Sequence, residues 1–234
     1  MLEDPPLLTI CRDFCRPDKS ALASLAGIAS VYLVDAMQGR GALDYQIQVL
    51  PGTEPTSLLV GSAITCHCGP ADNLALFAAV AVAQPGDIIV AATDAFTETC
   101  LTGDLLLRMA SNRNVLGLVT DGLVRDCAGI RDVGLPVYCR GVTPNSPVRN
   151  GPGSVGMPIC LGAVTIHPGD AVISDEDGIV IVPRDTIESV AATAKEIRTA
   201  EAELERKIRD GLEVPDFITT LLESNKVRYV DGPS

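Results

Sequence analysis

Residues 103–126 read GDLLLRMASNRNVLGLVTDGLVRD, and the way this stretch divides decides the fold. LLLRMASN, residues 105–112, is rich in helix formers, whereas VLGLVT, residues 115–120, is an apolar run of strand length. A helix that feeds a buried strand is the repeating unit of an α/β sheet. The helix opens on Gly103-Asp104, so free backbone N–H groups and the positive helix end are available to an anion. Past the strand comes the adjacent pair Arg125-Asp126, and ligands of open α/β sheets bind just beyond the carboxyl ends of strands. Taken alone, the pair is an ordinary salt bridge or strand-end cap. Its company argues for more. Asp104 and Asp126 bracket one helix-strand unit, and each offers hard oxygen suited to Mg²⁺ or Mn²⁺.

The same alternation extends outward. LLVGSAITCHC, residues 58–68, is rich in β-formers, and NLALFAAVAVA, residues 73–83, is a helix of small apolar residues. Gln84-Pro85-Gly86-Asp87 stops that helix and turns into the apolar strand DIIVAAT, and LPVYCRG, residues 135–141, is a further strand. Upstream, residues 18–29 read as a short helix, and VYLVDAM, residues 31–37, leads into the body. Residues 144–157 carry many Pro and Gly residues and are expected to wrap irregularly over the surface. In PICLGAVTIHPGDAVISDEDGIVIVP, residues 158–183, turn signals separate short strands, which predicts an antiparallel β unit. Pro85-Gly86-Asp87 and Pro168-Gly169-Asp170 look like a repeat, but each is better read as a turn before a strand, with no catalytic duty for its Asp. Residues 184–211 are charged and helical, with Asp185 as cap and Gly211 as stop. Ile187, Val190, Ala191, Ala194, Ile197, Ala200 or Ala202, Leu204 and Ile208 keep a loose helical spacing, so one face of this helix is expected to pack and the other to carry Glu196, Glu201, Glu203 and Glu205. No linker-like stretch interrupts the chain, so residues 1–234 are read as one domain.

At 234 residues and 47% hydrophobic content the chain can bury a substantial core. A formal charge of −12, no Trp and 3% aromatics argue against a nucleic-acid surface, which needs basic stripes and stacking rings. Met1 is followed by Leu2-Glu3-Asp4-Pro5-Pro6 rather than a basic region and an apolar run, and no later segment approaches the ~18 apolar residues of a membrane span. A cytoplasmic protein with no membrane partner is expected. The eight cysteines are scattered, and in a chain of this size they are expected to be reduced and packed as small hydrophobes. Cys66-His67-Cys68 is no metal site on this reading, because strand neighbours point to opposite faces and no second cluster completes a tetrahedron.

Gly103-Asp104-Leu105, the spacing to Gly122 and the terminal Arg125-Asp126 resemble the signature of class II pyruvate aldolases. These cleave 4-hydroxy-4-methyl-2-oxoglutarate and 4-carboxy-4-hydroxy-2-oxoadipate in aromatic-compound degradation, and they share their fold with the regulator of ribonuclease activity A. Asp35-Ala36, GSAIT, PGDIIV, LPVYCRG and PGD…SDEDGIVIVP follow in the order the resemblance requires, so it spans most of the chain. It implies a three-layer β/β/α, swivelling-domain-like fold with a long C-terminal helix, assembled as a homotrimer or homohexamer with active sites at subunit boundaries. Carried over, it makes Asp126 the metal ligand and makes Arg125 the group that binds the pyruvyl part of the substrate. Asp104 and, from the neighbouring subunit's terminal helix, Glu201 hold waters on the metal, with Glu203 and Glu205 as alternative registers. Gly103, Asp104 and Leu105 form the substrate-binding turn. The chain departs from the pattern at Gly129, where an acid is frequent and Asp132 is a candidate substitute, and at Asn114, where Gly is usual.

The chemistry implied needs few groups. Cleavage of a 4-hydroxy-2-oxo acid leaves a pyruvate enolate, whose charge a divalent metal, Mg²⁺ or Mn²⁺, shares with Arg125. A water held by Asp104 and Glu201 takes the C4 hydroxyl proton. The same enolate forms when oxaloacetate loses CO₂, so decarboxylation is an expected side activity. No Schiff-base lysine is called for, and none lies between Lys19 and Lys195. The rival readings are a non-catalytic binding protein like the ribonuclease regulator, and a related metal-dependent enzyme acting on another 2-oxo acid. Retention of both Asp126 and Asp104 is the feature that speaks against the regulator.

Overall fold

A computed structural model describes residues 6–230 and 232, so the Met1-to-Pro5 segment read above lies outside them. The chain begins with β1 (Leu8–Ile10), α1 (Lys19–Leu25) and α2 (Ser30–Ala36). Asp18 starts α1 by accepting the Ala21 N–H at 2.7 Å, and Gly27, at φ +73°, turns the chain away after it. The first helix is therefore shorter than residues 18–29, and VYLVDAM belongs to a helix of its own. Then come β2 (Gln48–Val49), β3 (Leu59–His67), α3 (Leu74–Val82), β4 (Asp87–Ala92), β5 (Cys100–Thr102) and α4 (Asp104–Asn112). They are followed by β6 (Gly117–Thr120), β7 (Leu123–Val124), α5 (Cys127–Val133), β8 (Val137–Cys139) and β9 (Gly141–Val142). The β-rich part holds β10 (Gly153–Val155), β11 (Ile159–Leu161), β12 (Val164–Ile166), β13 (Ala171–Ser174) and β14 (Ile179–Val182). Helices α6 (Ile187–Arg209) and α7 (Asp216–Leu222) follow.

Parallel strands β3, β4, β6 and β8 form the centre of a sheet ordered β1-β10-β3-β4-β6-β8-β2. Every residue of β4 and β6 is buried, which is why these strands are apolar throughout rather than alternating. Their side chains still divide between two faces. Ile64, Cys66, Ile89, Ala91 and Leu118 pack toward α3, α4 and α5, while Ala63, Ile88, Val90 and Val119 pack toward the layer of β11 to β14. The result is the expected β/β/α order in a single domain. On the outer side of β13 and β14, α1, α2 and α6 bury Leu25, Leu33, Ile187 and Val190.

The structure corrects the sequence reading at three places that matter for the site. Arg125 and Asp126 follow β7, not the strand at 115–120: Asp121 and Gly122 turn the chain out of the main sheet, and β7 pairs in parallel with β5 and β9 in a second, small sheet. Residues 144–157 do not simply wrap the surface, because β10 lies among them and joins β3 in the main sheet. Asp185 sits inside a short 3-10 turn, Arg184–Thr186, and Thr186 holds the N-cap position, so Asp185 does not cap α6. Gly211, at φ +102°, ends that helix as expected. Among the described residues no single helix is long and apolar enough to cross a membrane.

Candidate functional site

The starts of α4 and α5 lie side by side because β5 and β7, the strands that lead into them, are hydrogen-bonded neighbours. Between these helix starts and the 144–152 loop opens a cleft of about 570 Å³, with part of α3 in its wall. Gly103, Asp104 and Leu105 line it from α4, and Arg125 and Asp126 from the end of β7. The Arg125 N–H donates to the Thr102 carbonyl at 2.9 Å, which fixes the pair against β5. Its guanidinium reaches two ways, with Nε 3.2 Å from Asp126 Oδ2 and Nη1 donating to Ser146 Oγ. Both side chains of the ion pair are substantially exposed, at 38% and 47%, so the pair adds at most about 1 kcal/mol to stability.

Asp126 adopts the left-handed backbone region, φ 59° and ψ 42°, at the N-cap of α5, yet its side chain caps nothing. That conformation costs about 1 kcal/mol for an L-residue and is tolerated best by Asn and Asp. What it achieves is placement. A Cβ on Gly103 would lie 2.3 Å from Asp126 Oδ2, so the carboxylate rests on the bare Cα that opens α4. The reverse holds for Asp104, whose Oδ2 would lie 2.3 Å from a Cβ on Gly129, in the first turn of α5. Each carboxylate thus sits against a glycine at the start of the other's helix, where the dipole favours negative charge. Among the described residues neither carboxylate accepts a hydrogen bond from a backbone N–H. Cys100, behind them, is a neutral wall: burial raises its thiol above the usual range, with Arg125 opposing and Asp126 reinforcing the shift.

Among the described residues no three His, Cys, Asp or Glu side chains converge as a metal cage. The donor set of the cleft is two half-exposed carboxylates free of backbone donors. It fits a small hard cation that keeps most of its water and takes one or two protein oxygens. It does not fit a zinc site, which takes three or four protein ligands drawn mostly from Cys and His. Cys66 and Cys68 are buried in the core under α3, while His67 emerges elsewhere and pairs with Asp94 at 2.9 Å.

Glu201 is not in this cleft. It is exposed on α6 beside Tyr32, whose phenol it holds above the usual range by hydrogen bonding. Asp132 is exposed on α5 and does not line the cleft, so it does not replace an acid at position 129; Asp104 occupies that space instead. Asn114 takes the left-handed φ of 57° that a Gly would otherwise supply. Sequence reasoning missed Asn73, Phe77, Ser146 and Arg149, all in the cleft wall. Asn73 is buried, donates to the Leu101 carbonyl at 2.9 Å, and leaves its Oδ1 without a partner. The only sequence signal for Arg149 is a cation in a Pro- and Gly-rich loop of an acidic chain.

A profile of the Aldolase/RraA family matches residues 30–181. The chain belongs to that family. Within it, a protein of Halalkalibacterium halodurans provisionally named a 4-hydroxy-4-methyl-2-oxoglutarate aldolase is 32% identical over 185 residues, 79% of this chain and 87% of the relative. Among solved structures, RraAS2 of Streptomyces coelicolor, described as an unusual member of the RNase ES inhibitor RraA protein family, superposes with a TM-score of 0.72. It is 26% identical, over 82% of this chain and all of the other. An uncharacterized protein from Pseudomonas syringae pv. tomato gives a TM-score of 0.71 at 23% identity, over 85% of this chain and 96% of that one, a likeness of fold. The chain is thus similar both to a relative named for lyase chemistry and to a neighbour described as an unusual member of a ribonuclease-inhibitor protein family.

Proposed function

We propose that the cleft carries out divalent-metal-dependent retro-aldol cleavage of a 4-hydroxy-2-oxo acid, of the 4-hydroxy-4-methyl-2-oxoglutarate or 4-carboxy-4-hydroxy-2-oxoadipate type. What supports this is the convergence of Arg125, Asp126 and Asp104 in one cleft, with neither carboxylate consumed by backbone donors. Asp126, with Asp104 behind it, would hold Mg²⁺ or Mn²⁺, which when bound draws electron density from the substrate's keto oxygen. Arg125 binds the pyruvyl carboxylate and keto end and shares the charge that develops there. Asp104 orients the water that removes the C4 hydroxyl proton. As the C3–C4 bond breaks, C4 becomes the carbonyl of the second oxo acid. The electron pair passes into the pyruvate enolate, which is protonated at C3 to give pyruvate. Oxaloacetate enters the same route by losing CO₂.

Glu201 completes the water-holding set only if it arrives from a neighbouring subunit, in a trimer or hexamer. Residues 200–209 are exposed along α6 and carry apolar Leu204 and Ile208, which supports such packing. Glu201→Ala and Asp126→Ala chains, each inactive, should regain up to about a quarter of wild-type activity when refolded together. Mixtures that exchange subunits and stay inactive would remove Glu201 from the site.

The second reading, a regulator that binds a ribonuclease, is favoured by the likeness to RraAS2. A panel of 4-hydroxy-2-oxo acids and oxaloacetate, assayed for pyruvate release with Mg²⁺, separates the two. Release from at least one hydroxy acid is expected. No release from any, together with ribonuclease inhibition, would establish the regulator.

A further inference from the structure

Two guanidinium groups line the cleft, those of Arg125 and Arg149. Arg125 is engaged by Asp126 and Ser146. Arg149 makes no ion pair among the described residues, although the chain carries 30 acidic against 18 basic side chains. Its guanidinium lies over the Phe77 ring, 4.9 Å from the centroid. A planar cation stacked on a ring keeps its N–H edge free for two parallel hydrogen bonds to a carboxylate.

The backbone on both sides of Arg149 is pinned. The Val148 N–H donates to the Ala71 carbonyl at 2.8 Å, and the Val148 carbonyl accepts the Asn73 N–H at 3.1 Å. On the other side the buried Asp72 carboxylate accepts the N–H groups of Asn150 and Gly151. Nothing in this clamp uses the Arg149 side chain. A cation with a fixed stem, a ring to lie on and no anion of its own is a receptor held ready.

We infer that Arg149 binds the second carboxylate of a dicarboxylic substrate, the one carried on C4 beyond the bond that breaks. It thereby selects 4-carboxylated hydroxy-oxo acids over analogues with an alkyl group in that place. The assignment rests on the aldolase reading of the cleft: Arg125 takes the pyruvyl end, Arg149 takes the far end, and the C3–C4 bond lies between them. Arg149 is exposed at the cleft wall, so its discrimination comes from a two-pronged, charge-assisted contact that only the carboxylated substrate can make.

The test uses the full chain with Mg²⁺ and two ligands that lack the 4-hydroxyl and so cannot be cleaved, 2-oxoglutarate and 2-oxopentanoate. By calorimetry the wild type should bind 2-oxoglutarate at least about tenfold more tightly. Arg149→Gln should abolish that preference and Arg149→Lys should restore part of it. In turnover, the kcat/KM ratio of 4-hydroxy-4-methyl-2-oxoglutarate over 4-hydroxy-2-oxopentanoate should fall about 10- to 100-fold in Arg149→Gln. A wild type that binds both ligands equally, or a preference that survives in Arg149→Gln, overturns the assignment. A preference lost in Arg149→Gln while no hydroxy acid is cleaved supports Arg149 as the receptor and sinks the aldolase reading alone.

Discussion

In the two Pro-Gly-Asp turns the aspartates are buried and take backbone donors, whereas in the cleft they are half-exposed and take none among the described residues. Asp87 accepts a two-pronged contact from Arg16 at 2.8 and 2.9 Å and the Gln84 N–H at 2.8 Å. Asp170 accepts the N–H groups of His167 at 2.8 Å and Arg184 at 3.1 Å. Both close a turn back onto the residue three positions earlier, which is why the two segments look like a repeat. Asp121, close in sequence to the cleft, behaves the same way, accepting from Thr93 N–H at 2.7 Å and Ala95 N–H at 2.8 Å. Asp104 and Asp126 lack such donors. They lie on glycines, and Asp126 holds a left-handed backbone that its own helix does not need. A carboxylate whose bonds are all made inside the chain is structural. One that is held half-exposed, at some backbone cost and with at most one exposed ion-pair partner, keeps lone pairs available to a ligand.

That contrast can be broken by substitution. The largest effect is expected for Asp126→Asn, which keeps the size and the left-handed backbone but removes the charge. Turnover should fall about 10³-fold or more, corresponding to several kcal/mol of transition-state stabilisation, with circular dichroism and melting temperature unchanged. Activity within about tenfold of wild type would make Asp126 a mere partner of Arg125. Asp170→Asn should do the reverse. His167 N–H and Arg184 N–H bond to different oxygens of Asp170, so the amide nitrogen must face one of these two backbone donors, which costs about 2–3 kcal/mol, and melting should drop by about 4–10 °C while turnover per folded molecule is kept. An unshifted melting curve would show that the turn aspartates do not depend on the backbone donors described above. The smallest effect is expected for Gly129→Ala, whose Cβ would press on Asp104 Oδ2 from 2.3 Å. Turnover should fall about tenfold through displacement of Asp104, with the Mg²⁺ requirement rising and the melting temperature held or raised, since Ala is the better helix former. Unchanged kinetics would mean that Asp104 does not work from that position.

Much of this was legible in the sequence, for identifiable reasons. Strands β3, β4 and β6 are apolar over several residues because they are buried on both faces, and α3 and α4 carry enough helix formers to be seen. The elements that deliver Arg125 and Asp126 were not. β7 and β9 have two residues each and β5 three, too short for any period to register, and they exist because they pair with one another. The short helix α5 has Gly129 in its first turn, where helix propensity argues against it and the packing of Asp104 explains it. Gly103-Asp104 and Arg125-Asp126 could be singled out as pairs. That each acid would lie on the other helix's glycine is a tertiary fact with no local signal. Arg149 was hidden for the same reason: its loop is ordered by Ala71, Asp72 and Asn73, far from it along the chain.

The central claim, that the two cleft carboxylates hold a divalent ion for lyase chemistry, is tested most directly by pyruvate release from 4-hydroxy-4-methyl-2-oxoglutarate during a chelation cycle. Treatment with EDTA should abolish release, and adding back Mg²⁺ or Mn²⁺ in excess should restore it to the starting rate. Release that continues at an undiminished rate in enzyme shown by elemental analysis to be free of metal would contradict the account.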